Sequence, residues 1–196
     1  MDRRLTLPPH WADHRVAVHV IGAGGTGSAL LDSVASLDAT LRRLGHPGFA
    51  LTIHDGDSVS ASNIGRARYT PNDVGYNKAI LSAHRFNAFH ELDWTASPAN
   101  AEPGDLEDAD LVITCVDKAR FRTALAAHYR RRPTPALWLD MGNGEIEPGR
   151  HGGLDLEQRQ PAERHPLRQP GAGRRQRQQH LRAGGDALVL CTAAHR

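Results

Sequence analysis

Between positions 22 and 27 the chain reads Gly-Ala-Gly-Gly-Thr-Gly, a G-x-G-G-x-G pattern. Glycines at this spacing suit a phosphate. Gly22 permits a tight turn, Gly24 and Gly25 let backbone approach the anion, and Gly27 lets a following helix pack closely. Unpaired N–H groups at that helix's start would attract negative charge. A bare motif is a weak signal, and its placement gives it weight: it follows the β-branched run Val16 to Ile21 and opens a helical pattern. A purely structural turn is the ordinary alternative.

Asp55 closes a second apolar run, FALTIH at 49–54. A carboxylate there is placed to hydrogen-bond ribose hydroxyls, which serves NAD and ATP equally, while a turn or helix cap is the plainer reading. Further on come Asp57, Ser62, Asn63, Arg66 and Arg68, then Lys78 shortly after Gly75, and Asp117 with Lys118 after the apolar run LVITCV at 111–116. Each has an everyday explanation: Arg66 and Arg68 as solvated loop charges, Lys78 as a surface helix residue, Asp117 as the cap of a helix starting at Lys118. Lys78 is nonetheless one of only two lysines in a chain whose other cations are arginines, which marks the position.

The elements that must position these residues follow from periodicity. Apolar runs predict strands at 16–21, 49–54, about 92–96, 111–116 and 136–139. Leu30, Leu31, Val34, Leu37, Leu41 and Leu44 recur at helical spacing and predict a helix over 26–44, stopped by Gly45 and Pro47. Two more helices are expected at 76–89 and 118–131, the latter broken by Pro133 and Pro135. Strands alternating with helices predict an α/β, Rossmann-like domain: a mostly parallel sheet, helices on both faces, and the site at the C-terminal ends of the strands.

Composition narrows the function classes. With 196 residues the chain is long enough for one ordinary core. A formal charge of +2, even with a pI near 8.8, is too small to argue for nucleic acid or an anionic membrane as the main partner. Cys115 and Cys191 form neither a disulfide framework nor a CxxC metal site, so a reducing cytoplasm is expected. Cys115 sits inside an apolar run and reads as a buried strand residue, and Cys191 has no neighbour that would make it a thiolate. The opening MDRRLTLPPHWADH has no apolar signal core, and no run of about 18 apolar residues occurs, so a soluble, unexported protein is expected.

Three segments result: an N-terminal arm at 1–15, the nucleotide-binding domain at 16–144, and a tail at 145–196. The tail holds no Phe, Tyr, Trp or Lys and is crowded with Arg, Gln, Gly, Pro and His. Such a composition buries too little apolar surface to offset its ordering entropy, so disorder is expected. GC-rich DNA read out of frame yields the same vocabulary, which reading the gene in all three frames tests.

Taken jointly, Asp55-Gly-Asp57, Ser62-Asn63-Ile-Gly-Arg66, Gly75-Tyr-Asn-Lys78-Ala79 and an apolar strand ending at Asp117 resemble the adenylation domains of the ThiF/MoeB and ubiquitin-activating family. LGHPG, SASNIGR, DVGYNKA and WLDMGN look closer still to the ThiF-family proteins of bacterial PRTRC gene clusters; the likeness spans roughly 16–144. The resemblance implies ATP and Mg2+ as cofactors: Asp55 on the ribose, Asn63 and Arg66 on the phosphates, Lys78 neutralising them, Asp117 near magnesium, and Gly25 meeting the nucleotide through its backbone. Asp57, Ser62 and Lys118 complete the expected nucleotide contacts. It implies catalytic roles for Arg66, Lys78 and Asp117, adenylation of the C-terminal carboxylate of a small ubiquitin-like acceptor protein, and a homodimer, with Arg3 or Arg4 reaching the partner's ATP. Charge neutralisation fits such chemistry because negative charge shifts onto the leaving pyrophosphate, whereas hydride transfer has no such need. Position 67 is Ala where that family commonly has Gln, and the downstream cysteine and paired CxxC motifs of some members are not in this sequence. A non-catalytic nucleotide-binding scaffold and an NAD(P)-dependent oxidoreductase are the competing classes.

Overall fold

The computed structural model describes residues 7–141 and 189–192. The N-terminal residues that include Arg3 and Arg4, and all of the tail but 189–192, lie outside them.

The chain runs β1 (Val16–Ile21), α1 (Gly25–Arg43), β2 (Phe49–His54), α2 (Lys78–His90), β3 (Thr95–Ser97), β4 (Leu111–Thr114), α3 (Ala119–Arg131), β5 (Leu137–Asp140) and β6 (Val189–Thr192). The strands lie side by side in the order β3-β2-β1-β4-β5-β6. β1 to β5 are parallel, and β6 runs antiparallel to β5. Going outward from β1 in both directions creates a point where the connections diverge, between the ends of β1 and β4, and open α/β sheets bind ligands there.

The two-residue period of β1 sends Val16, Val18 and Val20 to one face, where they pack with Leu51 and Ile53 of β2, Leu31 and Ala35 of α1, and Ala79 and Ala83 of α2. Ile21 faces the other way and packs with Val112, Trp138 and the α3 residues Leu125 and Tyr129. Helices therefore cover both faces. The predicted elements are all present with small shifts. α2 starts at Lys78 rather than Tyr76 because Asn77 caps it, its side chain accepting from the Ile80 N–H, while β4 ends at Thr114. The third strand is shorter and later than expected, since Leu92 and Trp94 enter the core from the preceding loop. Nothing in the sequence reading placed a strand at 189–192.

One buried carboxylate ties the α1 side together. Asp38, fully buried on α1, accepts from the Trp94 indole N–H at 2.8 Å, the Arg42 Nε at 3.0 Å and the Phe49 backbone N–H at 2.9 Å. A carboxylate this buried is stable only because its lone pairs are filled by donors from α1, β2 and the approach to β3.

Candidate functional site

The glycine turn lies where β1 ends. Gly22 has φ +95°, and its N–H donates to the His54 carbonyl at 2.8 Å. Gly27 has no room for a side chain: a Cβ there would stand 1.9 Å from the Gly22 carbonyl oxygen. Gly24 is the opposite case, since a Cβ would meet nothing within 4 Å. Gly24 is also the N-cap of α1, and no side chain caps that helix end. The first-turn amides of α1 therefore lack a side-chain acceptor beside open space, the arrangement that receives an anion.

Asp55 is buried and binds the turn. Its Oδ2 accepts from the Ala23 N–H at 2.7 Å and its Oδ1 from the Asp57 N–H at 2.9 Å. A carboxylate offers about four lone-pair sites, so this bracing leaves acceptor capacity for ribose hydroxyls.

Between β2 and α2 the chain makes a long excursion over the turn. Two 3₁₀ turns, Ala61–Asn63 and Pro71–Asp73, each closed by a capping box, give it a fixed shape. Asn63 is buried, and its Oδ1 accepts from the Ser60 N–H and hydroxyl, so that oxygen holds the loop together. The Ser62 hydroxyl pairs with Ser60 at 2.9 Å. Arg66 is exposed, its Nε donating to the Ser62 carbonyl at 2.9 Å; a Cβ on Gly25 would lie 3.2 Å from the Arg66 carbonyl, so this loop rides directly against the glycine turn. Arg68 donates its backbone N–H to Ser28 Oγ at 3.0 Å. Asp73 and Arg85 of α2 form an ion pair that anchors the loop's far end. Burial pushes the Asp73 carboxyl up, but hydrogen bonds from Thr70 and Arg85 outweigh it, and the net shift is below the usual range.

Lys78 opens α2 with a side chain only 9% exposed, its Nζ 3.1 Å from Asp57 Oδ2. Asn77 fixes this corner by donating to the Asp55 carbonyl at 2.9 Å. Asp117 and Lys118 leave β4 exposed, and neither side chain caps α3. They emerge near the turn, since a Cβ on Gly22 would touch the Cys115 carbonyl at 3.0 Å. Asp55, Asp57, Lys78 and the backbone of Arg66 thus gather around the glycine turn, with Asp117 and Lys118 following from the neighbouring strand. Ser62 and Asn63 spend their recorded hydrogen bonds inside the loop.

Spacing did not disclose three participants. Tyr69 is buried and donates its hydroxyl to the Ala23 carbonyl at 2.6 Å, with Ser82 Oγ 3.3 Å away. Burial pushes this phenol up to about 12, so it stays a donor at any working pH. Asn77 could have been found from its cap position before Lys78. The third is a buried imidazole pair: His19 Nδ1 lies 3.0 Å from His54 Nε2, with Asp108 3.4 Å from His19 Nε2. Burial lowers both pKa values, with His19 lowering His54 further, while Asp105 and Asp108 oppose this. At the same sheet end Asp140 accepts from Thr114 Oγ1 at 2.8 Å and pairs with Arg122 at 3.1 Å. Cys115 is buried as expected, and that burial, with Asp140 adding, pushes its thiol up to about 12.

A parallel sheet that diverges at β1/β4, with a glycine turn, a helix start lacking a side-chain cap and a buried aspartate at its C-terminal edge, defines a Rossmann-like nucleotide-binding domain. Residues 13–138 match the ThiF family, and the chain belongs to it. It is 27% identical over 158 residues to ubiquitin-like modifier-activating enzyme 5 of Caenorhabditis elegans, covering 68% of this chain and 35% of that protein. The Drosophila willistoni enzyme of the same name is 30% identical over 129 residues, covering 56% and 29%. Among solved structures, E. coli tRNA N6-threonylcarbamoyladenosine dehydratase, TcdA, in complex with ATP superposes with a TM-score of 0.50 at 28% identity, covering 65% of this chain and 51% of that one. The E. coli MccB structure with ATP, at 20% identity and a TM-score of 0.51, shares the fold. The chain thus spans about a third of the length of the curated relatives it matches. Among the described residues no helix is long and apolar enough to cross a membrane.

Proposed function

We propose that this domain binds ATP and transfers its adenylyl group to the C-terminal carboxylate of a small ubiquitin-like acceptor protein. The observation that carries the reading is the start of α1, which no side chain caps, facing open space at Gly24, with Lys78 held at the head of α2 by Asp57. Backbone amides and the helix dipole favour the phosphates there. In the reaction a carboxylate oxygen attacks the α-phosphorus in line, the bond to the bridging oxygen breaks, and pyrophosphate leaves with the electron pair. The chain's task is to position and neutralise, and no side-chain nucleophile is required. Lys78 and Arg66 offset the charge growing on the leaving group, Asp55 orients the ribose, and Asp57 holds the Lys78 ammonium in place.

Asp117, exposed and pairing with no other described residue, fits as the carboxylate for magnesium. Among the described residues no group of three or more His, Cys, Asp or Glu side chains is arranged to hold a metal ion by itself, so phosphate and water would complete the coordination. When bound, magnesium polarises the phosphates. The motif likeness supports a place among the ThiF-family proteins of PRTRC clusters and a homodimer, and the cysteine usage supports a cytoplasmic setting.

Pyrophosphate exchange into ATP, run with a candidate acceptor bearing a free C-terminal carboxylate, tests the reading. Wild type is expected to exchange, and Lys78→Ala and Asp117→Ala each to lose about a hundredfold, the size of a lost charge-stabilising group. ATP binding without exchange would instead favour a nucleotide-binding scaffold, and tight NADH binding without ATP binding an oxidoreductase.

A further inference from the structure

We propose that Tyr69 is a positioning residue for the polyphosphate, acting through the Ala23–Gly24 peptide. The inference rests on the ATP reading above. Ala23 is fully buried, and both its backbone groups are held by side chains: the N–H by Asp55 at 2.7 Å and the carbonyl by the Tyr69 hydroxyl at 2.6 Å. The second contact matters because the Ala23 carbonyl and the Gly24 N–H belong to one planar, trans peptide, so they point in opposite directions. With the carbonyl drawn inward onto Tyr69, the Gly24 N–H is turned away from the core. Within this turn Gly24 is also the glycine whose side-chain direction is open space.

Ala23 is flanked by Gly22 and Gly24, the two residues with the greatest rotational freedom, so this peptide would otherwise sample many orientations. Fixing it before the ligand arrives removes an ordering cost from binding and aims a donor at the anion. Tyr69 does this from the loop that also carries Arg66, and Ser82 of α2 supports it by donating to the phenol oxygen. The hydroxyl is therefore a link between the loop and the glycine turn.

The test is calorimetric titration of ATP, inorganic tripolyphosphate and adenosine into wild type and Tyr69→Phe, with melting temperatures recorded alongside. Tyr69→Phe is expected to bind ATP and tripolyphosphate about tenfold more weakly, the loss of one hydrogen bond that leaves a buried carbonyl unpaired, with adenosine unchanged. In wild type the Gly24 amide resonance should shift on adding tripolyphosphate, a readout that needs no variant. Equal tripolyphosphate affinity in Tyr69→Phe, a parallel loss for adenosine, or an unmoved Gly24 amide would each overturn the inference. Failure of wild type to bind ATP at all would instead refute the nucleotide reading on which it stands.

Discussion

Gly24 and Gly27, three residues apart in one turn, should respond in opposite ways to the same substitution. In Gly27→Ala the new methyl would stand 1.9 Å from the Gly22 carbonyl oxygen. Non-bonded atoms settle at roughly 3.5 Å, so the turn and α1 must separate by about 1.5 Å. The obstacle is backbone on both sides, and no flexible side chain can yield, which places the cost near the upper end of overpacking, about 3 kcal/mol. For a domain of this size that corresponds to a melting temperature lower by roughly 6–12 °C. A shift of that size in a phosphate-binding turn should also weaken ATP binding by about a hundredfold. Gly24→Ala adds the same methyl where nothing lies within 4 Å, so its melting temperature should stay within about 1–2 °C of wild type. Its ATP affinity should still fall at least tenfold, because the methyl occupies the space assigned to the phosphate. Differential scanning calorimetry and ATP titration on both variants read these quantities. A Gly24→Ala protein that binds ATP as tightly as wild type would refute the placement of the ligand at the α1 N-terminus. A Gly27→Ala protein of wild-type stability would refute the packing argument.

Two further outcomes are expected. Asp38→Ala should destabilise the domain by about 3–5 kcal/mol in urea unfolding, since it leaves the buried Trp94 and Phe49 donors without their acceptor and takes one of two carboxylates from Arg42. For acid stability the sign follows from the direction of the shifts. His19 and His54 have folded pKa values below their ordinary value near 6.5, so the stability they contribute is complete above about pH 6.5 and is lost as pH falls through the lower folded values. Asp73 and Asp93 are also lowered, and their contribution is lost only in a separate, more acidic window below about pH 4. Stability measured across pH 4.5–7.5 should therefore fall toward acid, and His54→Phe should flatten that slope; an unchanged slope would refute the role of the imidazole pair.

The element order was legible because its signals are local. β1, β2 and β4 are short apolar runs with abrupt polar ends, and the leucine spacing of α1 has no strand-like alternative. Glycine spacing after β1 and a carboxylate after β2 marked the two sides of the proposed nucleotide site. The boundaries that moved did so for tertiary reasons: Asn77 delays α2 by capping it, and Trp94 is drawn inward by Asp38 before β3 begins. Side-chain assignments were less legible. Asn63 sat correctly in its motif, yet its Oδ1 turns back onto Ser60, a choice made by the loop's own need for a cap. The histidine pair was invisible, since 35 residues separate its members and only the register of β1 on β2 makes them neighbours.

Residue types and spacing by themselves determined that this chain alternates strands with helices, that a glycine-rich turn at residues 22–27 joins the first strand to the first helix, and that a lysine, an arginine and several carboxylates follow it in the sequence. Periodicity and glycine placement act within one element and its turn, so they survive as local signals. Tertiary structure alone decided that Lys78 meets Asp57, that Tyr69 grips Ala23, that Asp55 braces the turn, and which glycine tolerates a methyl group. Those outcomes depend on how separate elements approach one another to within hydrogen-bond distance, and that information resides in the packing of the sheet against its helices and loops.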